Sequence, residues 1–220
     1  MEVKMERKLI ADFVKENLAE ERTGHDYYHG KRVAVLAERM LLADHPESGQ
    51  KSRDIAYTAG FVHDTIDEKV CPNPSEVLAK LREVFTAAGL SASDQDNVFF
   101  AIEHMSFSKN IDRHYQLSLE GEYVQDADRL ESLGAMGIAR AFVYSGKHDD
   151  KIYDPEIPPM ELVSHDQYRN HEETTINHFY EKLFKLEGLM NSRAAQKEAR
   201  RRTEYMRDFV REFRHEWDLD

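Results

Sequence analysis

The chain has 220 residues, enough for one large domain or for one domain with a helical extension. Its 30 Lys and Arg residues against 42 Asp and Glu residues give a formal net charge of −12, which disfavours a nucleic-acid partner. The single cysteine, Cys71, excludes an internal disulfide framework and a multi-cysteine zinc site. Since no apolar run reaches membrane-span length and the first residues lack a signal-peptide core, we expect a cytoplasmic protein with no membrane partner.

Apolar residues recur at helical spacing along most of the chain, for example across residues 33–41, and no alternating strand pattern appears. The prolines fall in three places, near residues 46, 72–74 and 155–159, where helices are expected to break. The sequence therefore predicts an all-α fold. The predicted helices are 2–20, 26–43, 50–63, 74–88, 93–106, 121–145, 165–189 and 192–217, with a surface loop over 146–164.

The last predicted helix is strongly amphipathic, with an apolar stripe from Ala195 to Trp217. We predict a main domain over residues 1–190 and a C-terminal helix over 191–220 that packs on the same domain. The apolar stripe also makes a homodimer possible.

Histidines and aspartates stand in apolar helical contexts at three points of the chain. His63-Asp64 closes the apolar run 55–62, and burying an imidazole beside a carboxylate is costly unless a cation compensates both. His29 begins the apolar stripe of its helix, and Asp128 lies in a helix rich in small residues. Asp126, two residues earlier, is an alternative to Asp128 as a metal ligand. Two imidazoles and two carboxylates suit a divalent cation such as Mn, Fe, Co, Ni, Mg or Zn.

The order His29…His63-Asp64…Asp128 resembles the H…HD…D signature of the HD-domain metal-dependent phosphohydrolases. The flanking segments 25–32, 60–64 and 126–135 strengthen the resemblance, which covers most of the chain and is nearest to the small bacterial HD hydrolases. The resemblance implies an HD-domain helical bundle with a C-terminal helical extension.

The resemblance also implies roles for individual residues. His29, His63, Asp64 and Asp128 would be the metal ligands, and Asp64 would contact both the metal and the attacking water. Some relatives carry a glutamate three residues after the aspartate and use it as a general acid or base; here Asp67 stands at that position.

Further residues near the motifs are candidates for proton transfer and phosphate binding. His104 is either a proton-transferring or phosphate-contacting group or a satisfied core histidine, and His104 or His25 could support a second ion. Lys31, Arg32 and Arg129 are the cations nearest the motifs and would bind the substrate phosphate, although Arg129 could equally pair with Asp126.

The resemblance implies a hydrolase that cleaves a phosphoester or phosphoanhydride by attack of metal-activated water. A nucleotide or another small phosphorylated metabolite would be the substrate. The alternative is a catalytically inactive metal- or nucleotide-binding regulatory module that keeps the scaffold without turnover. A purely structural helical interaction protein is a third possibility.

Overall fold

The computed structural model describes residues 5–67, 71, 73–111 and 113–218, and its regular elements are helical apart from one isolated bridge between Lys151 and Thr174. The all-α prediction is confirmed. The α-helices are α1 (Arg7–Asn17), α2 (Tyr27–Asp44), α3 (Gln50–Val62), α4 (Pro74–Ala87), α5 (Ala92–His104), α6 (Leu119–Glu131), α7 (Gly134–Lys147), α8 (His165–Asn170), α9 (Thr175–Glu181) and α10 (Arg193–Asp218). Three 3-10 helices cover His63–Ile66, Ser108–Asn110 and Leu183–Leu189.

The chain forms two compact units, Met1–Asp128 and Arg129–Asp220. The domain boundary predicted at residue 190 stays a prediction. Among the described residues, no helix combines the length and the apolar character that crossing a bilayer requires.

The first unit is built around the crossing of α2 and α3. Gly30 of α2 faces the carbonyl oxygen of Phe61, and a Cβ placed there would lie 2.6 Å from that oxygen. Gly60 of α3 faces Ala34, whose Cα would lie 2.9 Å from an added Cβ. Because glycine removes the Cβ at both contacts, the two backbones approach closely and bring the start of α2 beside the end of α3.

Arg7 of α1 forms ion pairs with residues of both α2 and α3. Its guanidinium donates to Glu38 of α2 at 2.8 Å and to Asp54 of α3 at 2.9 Å, and it lies over the ring of Tyr57. Two carboxylates in contact with one partly buried guanidinium raise the pKa of Arg7, so the guanidinium stays charged.

The core of the second unit lies between α7, α9 and α10. Phe179 of α9 is fully buried and stacks on Phe209 of α10, which in turn meets Phe142 of α7 edge to face. Met206 and Val210 complete the buried stripe of α10. The apolar face predicted for the C-terminal helix therefore packs against α7 and α9 within this unit.

One long helix predicted over 121–145 is divided into α6 and α7 in the structure. Gly134 adopts φ +73°, a backbone conformation that favours glycine, and the break falls at Ser132 and Leu133. Arg140 donates to the carbonyl of Glu131 at 3.3 Å, and Arg202 donates to that of Leu130 at 2.6 Å. The carbonyls at the end of α6 are thus satisfied by distant side chains, which a local pattern does not reveal.

The helix predicted over 165–189 is also divided, into α8, α9 and a 3-10 helix. The backbone N–H groups of Thr175 and Ile176 donate to the carbonyls of Lys151 and Ile152, so they are not available to extend α8. The side chain of Thr174 accepts from the N–H of Asn177 and caps α9 at a new start. The predicted start of the first helix at residue 2 lies outside the described residues, and α1 begins at Arg7.

Candidate metal centre

His29 is placed by the first turn of α2. The carboxylate of Asp26 caps this helix and accepts from the backbone N–H of His29 at 2.8 Å. Gly30 follows directly, so the turn that carries His29 lies against α3. The imidazole of His29 is completely buried.

His63 and Asp64 lie where α3 tightens into a 3-10 helix. The Nδ1–H of His63 donates to the carbonyl of Gly60 at 2.9 Å, which directs Nε2 toward the other ligand candidates. The hydroxyl of Thr65 donates to the carbonyl of Val62 at 2.7 Å and stabilises the tightened turn. Both His63 and Asp64 are buried.

Asp128 comes from α6, which contacts in the first unit hold in position. The hydroxyl of Tyr123 donates to Asp44 of α2 at 3.0 Å, and the side chain of Gln125 donates to the carbonyl of Met105 at 2.8 Å. Gln125 and Asp128 are three residues apart and share one face of α6. Fixing that face therefore also fixes the direction of Asp128.

Four side chains converge at one point of the first unit. The Nε2 atoms of His29 and His63 are 3.3 Å apart. The carboxylate of Asp64 lies 3.4 Å from Nε2 of His29 and 3.2 Å from Nε2 of His63. The corresponding distances from Oδ1 of Asp128 are 3.4 and 3.6 Å. All four predicted ligands are thus brought together from three helical segments.

These separations fit the residues to a divalent cation better than to mutual hydrogen bonds. Most of them exceed the 2.7–3.2 Å of good N–H···O bonds. Ligand bonds of about 2.1 Å would place neighbouring donor atoms about 3.0–3.4 Å apart. In addition, the buried Oδ2 of Asp64 accepts no hydrogen bond among the described residues, which is costly unless a cation contacts it.

The two carboxylates of the cluster also favour a positive charge beside them. Burial would lower the pKa of His63, but the adjacent carboxylates of Asp64 and Asp128 outweigh it and raise this pKa to about 9. Burial raises the pKa of Asp64, whereas the two histidines hold the pKa of Asp128, whose side chain is 30% exposed, well below its usual range. A divalent cation would replace the proton that the imidazole otherwise holds.

The remaining predicted site residues lie at different distances from this cluster. Asp67 follows the 3-10 helix in an extended conformation, not in a continuing helix, yet its charge still adds to the raised pKa of Asp64. Lys31 is exposed on the first turn of α2, and Arg32 is half-buried one turn after His29. The structure therefore keeps these three residues in or beside the ligand-bearing segments.

His104 and Arg129 have other partners. The ring of His104 lies between the rings of Phe100 and Tyr115, each with its centroid 4.4 Å away, and its Nδ1–H donates to the carbonyl of Phe100. Arg129 is buried and donates to the carbonyl of Leu189. No hydrogen bond from the His104 ring to the cluster is found among the described residues, so the proposed roles of His104 and Arg129 stay predictions.

The sequence predicts the four candidate ligands, but the glycines that position two of them were missed. Gly30 directly follows His29, and Gly60 lies three residues before His63 and also supplies the carbonyl that orients its ring. A glycine beside each ligand motif was the available signal.

Comparison with known proteins agrees with this architecture. A family model of the HD domain matches residues 26–133, the segment that contains all four converging side chains. YpgQ of Bacillus subtilis is 34% identical over 210 residues, covering 92% of this chain and 89% of YpgQ. The chain belongs to the HD-domain family.

Solved structures show the same relationship across nearly the whole chain. A protein of Lactobacillus plantarum is 41% identical with a TM-score of 0.85, covering 99% of this chain and all of the other. An HD-superfamily hydrolase of Bacillus thuringiensis is 34% identical with a TM-score of 0.71 over 97% and 98% of the two chains. The structure of YpgQ in complex with ADP has a TM-score of 0.71 at 31% identity, over 95% and 93%.

Proposed function

We propose that this protein is a metal-dependent phosphohydrolase that cleaves a phosphoester or phosphoanhydride bond of a small phosphorylated metabolite by attack of water. In this reaction the water oxygen forms a bond to phosphorus, the bond to the leaving oxygen breaks, and one water proton passes to a base. The observation that carries the proposal is the convergence of two imidazoles and two carboxylates: each Nε2 lies 3.2–3.6 Å from the other Nε2 and from a carboxylate oxygen of both Asp64 and Asp128.

His29, His63, Asp64 and Asp128 would hold the metal. When bound, a divalent cation supplies Lewis acidity, which lowers the pKa of a water molecule and neutralises charge on phosphoryl oxygens. The carbonyl of Gly60 holds His63 in the tautomer that presents the Nε2 lone pair. One carboxylate oxygen of Asp64 has no hydrogen-bond partner in the described part of the chain, so that oxygen would be able to interact with the attacking water.

Proton transfer and phosphate binding are assigned to residues beside these ligands. Asp67 is our candidate general acid or base, because it directly follows the turn that carries Asp64. Lys31 and Arg32 would supply donors to the phosphate, since both lie within one turn of His29 on α2. Arg129 and His104 are further candidates for substrate binding and proton transfer.

A nucleotide is the substrate class we favour. YpgQ, whose length this chain matches almost completely, has been crystallised with ADP. A nucleoside di- or triphosphate contains both bond types that the proposed chemistry can cleave. The proposal for this chain is therefore hydrolysis at a nucleotide phosphate.

A phosphate-release assay tests the proposal. Protein freed of metal with a chelator is supplied with Mn²⁺ and a panel of nucleoside mono-, di- and triphosphates and simple phosphate esters. We expect hydrolysis that requires the metal and that disappears in Asp64→Ala. Asp12→Ala serves as the matched control, because Asp12 is exposed on α1 and forms an ion pair with the exposed Lys8.

The other outcomes are informative. Nucleotide binding by the metal-loaded protein without phosphate release would support the inactive regulatory module. If Asp64→Ala and Asp12→Ala bind equal amounts of metal, the ligand assignment is wrong and the enzyme proposal fails with it.

A further inference from the structure

A second group of histidine and glutamate side chains lies in the second unit, outside the HD signature. Donor atoms of His171, Glu173 and Glu181 all lie within 4.8 Å of one another. His171 follows α8, Glu173 precedes α9, and Glu181 is the last residue of α9. The chain thus brings them together within eleven residues, and all of them belong to the second unit.

The carboxylate of Glu181 is the most deeply buried member of this group. Its side chain has no exposed surface, and that of His171 is 5% exposed. One oxygen of Glu181 accepts from the backbone N–H of Met160 at 2.8 Å, and the other lies 2.8 Å from Nε2 of His171. Because burying a charged carboxylate is costly, a positively charged group is needed beside the Glu181 oxygen that faces His171.

The ring of His171 is oriented as metal-ligating imidazoles are. Its Nδ1–H donates to the carbonyl of Gln167 at 2.8 Å, and its Nε2 is directed at Glu181. Because both ring nitrogens face oxygen acceptors, either a second proton or a cation must lie between Nε2 and the carboxylate. A bound cation would satisfy the imidazole lone pair and the buried carboxylate together.

Glu173 adds a second carboxylate, and a neighbouring histidine holds it. Nδ1 of His178 contacts one oxygen of Glu173, whose side chain is 25% exposed. Lys182 also contributes positive charge toward Glu173, while its ammonium donates to the hydroxyl of Tyr168 at 3.1 Å. Two carboxylates thus lie within 4.8 Å of the His171 imidazole, in a setting partly open to solvent.

The backbone around the group is fixed from several sides. The N–H of Thr175 donates to the carbonyl of Lys151 at 2.9 Å, and the side chain of Asn177 donates to that of Ile157 at 2.9 Å. The side chain of Thr174 caps α9. The segment that carries Glu173 is therefore held before any ion binds, which lowers the ordering cost of binding.

We propose that His171, Glu173 and Glu181 form a second divalent-cation site, separate from the proposed catalytic centre and with a structural role in the second unit. One imidazole and two carboxylates without a thiolate suit a borderline ion, and Zn²⁺ is the ion we expect to bind most tightly among those commonly available. The bound ion ties the segment before α9 to the end of that helix.

Zinc binding is measured by equilibrium dialysis in the double variant His63→Ala, Asp64→Ala, so that failure of the catalytic proposal does not affect the result. We expect about one Zn²⁺ per chain in this background. Adding Glu173→Gln is expected to weaken binding by at least about 100-fold, since even the loss of an outer hydrogen-bond partner of a ligand costs about 10–100-fold.

Glu172→Gln is the matched control, because Glu172 is the exposed neighbour of Glu173, and it should keep its zinc. His171→Gln provides a second ligand variant should Glu173→Gln lose its cooperative thermal unfolding. Absence of zinc from the double variant, or equal zinc affinity in the Glu173→Gln and Glu172→Gln chains, overturns the proposal.

Discussion

The imidazole of His63 is held by one hydrogen bond to its own helix and attracted by two carboxylates. The bond to the carbonyl of Gly60 fixes the ring direction, and the carboxylates of Asp64 and Asp128 supply the negative charge that a cation neutralises. The buried Oδ2 of Asp64 has no hydrogen-bond partner among the described residues. The protein groups that the structure describes therefore do not fully offset the cost of burying this carboxylate. A bound cation would contact this oxygen and neutralise the negative charge of the carboxylates, which is the physical argument for a metal.

Asp67→Asn tests the proton-transfer role. The amide cannot take or deliver a proton as the carboxylate does, so we expect turnover to fall by about 100-fold or more, the usual contribution of general acid–base catalysis. Metal content should not change, because Asp67 is outside the four converging side chains. The measurement is steady-state phosphate release together with metal analysis of the same sample.

Asp12→Asn is the control for the same chemical change at an exposed position of the first unit. If Asp67→Asn hydrolyses substrate as fast as the unchanged protein, the proton role belongs to His104 or to solvent. Loss of metal from Asp67→Asn would instead make Asp67 a ligand.

The sequence predicts which four side chains converge better than it predicts the contacts of the residues around them. His29, His63, Asp64 and Asp128 could be named because their order matches a known signature, and the structure brings all four together. His104 could not be assigned in the same way, because its ring stacks on that of Phe100 and also contacts the tilted ring of Tyr115, which helix periodicity does not predict. A sequence motif indicates which residue type stands at a position, whereas the contacts of that side chain depend on tertiary packing.

The crossing of α2 and α3 determines where two of the four candidate ligands meet. Gly60→Ala is expected to destabilise the protein by about 1–3 kcal/mol, because the added Cβ would lie 2.9 Å from Cα of Ala34 and the helices must separate. Metal affinity should fall in parallel, since the same shift moves His63 away from His29. Urea unfolding and metal titration measure the two effects.

Gly146→Ala is the matched control, since Gly146 lies in α7 with nothing within 4 Å of an added Cβ. There the substitution should stabilise the chain by about 0.5–1 kcal/mol, because alanine loses less backbone entropy than glycine in a helix. Equal effects of the two substitutions would contradict the close-contact argument.

Helix α10 carries a charge cluster that links it to the end of α6. Glu198 accepts from Arg201 at 2.7 Å and from Arg202 at 2.8 Å, and Arg202 also donates to the carbonyl of Leu130. The hydrogen bond from Arg201, with that from Arg202, lowers the pKa of Glu198 to about 2 from an ordinary value of 4.5. A lowered folded-state pKa means that this carboxylate stabilises the protein above about pH 4.5 and loses the effect as the pH falls toward 2.

Glu198→Gln should therefore cost about 0.5–1 kcal/mol at pH 7, a small value because the pair is partly exposed and screened by solvent. The difference from the unchanged protein should persist down to pH 4.5 and shrink below it, as measured by urea unfolding at pH 7, 4.5 and 3. Glu204→Gln on the same helix is the control and should show no such trend. A difference that stays constant across these pH values would rule out the ionic explanation.

Helix periodicity predicts where helical segments lie but not where tertiary contacts interrupt them. The stripe over 121–145 keeps its period across Ser132 and Leu133, yet the helix ends there beside Gly134 at φ +73°, and Arg140 and Arg202 donate to its last carbonyls. The prediction over 165–189 failed for a related reason, since residues 151–152 supply the acceptors that start α9. The second interruption, and the hydrogen bond from Arg202 at the first, depend on partners remote in sequence.

The net charge of −12 makes the whole molecule unfavourable for an anionic substrate unless a local field reverses the sign. The HD match over 26–133 contains all four converging side chains, where a bound divalent cation would supply such a field. These four also lie within the first compact unit, so a metal bound there would stabilise that unit directly.

Mn²⁺ should therefore stabilise the first unit selectively. At a free concentration about 100 times its dissociation constant, binding contributes about 2.7 kcal/mol, equivalent to a rise in melting temperature of about 5–10 °C for a chain of this size. The measurement uses the Glu173→Gln chain, in which binding at the second proposed site is weakened. The same chain carrying His63→Ala and Asp64→Ala is the control and should show no shift.

Hydrogen exchange shows which part of the molecule the ion stabilises. We expect Mn²⁺ to slow exchange of backbone amides in α2, α3 and α6, which carry the four ligand candidates or lead directly into them, while amides of α9 and α10 exchange at unchanged rates. This difference arises because an ion adds its binding free energy only to openings that separate its ligands. Protection confined to α9 and α10 would mean that the ion binds elsewhere and that the convergence of His29, His63, Asp64 and Asp128 is not a metal centre.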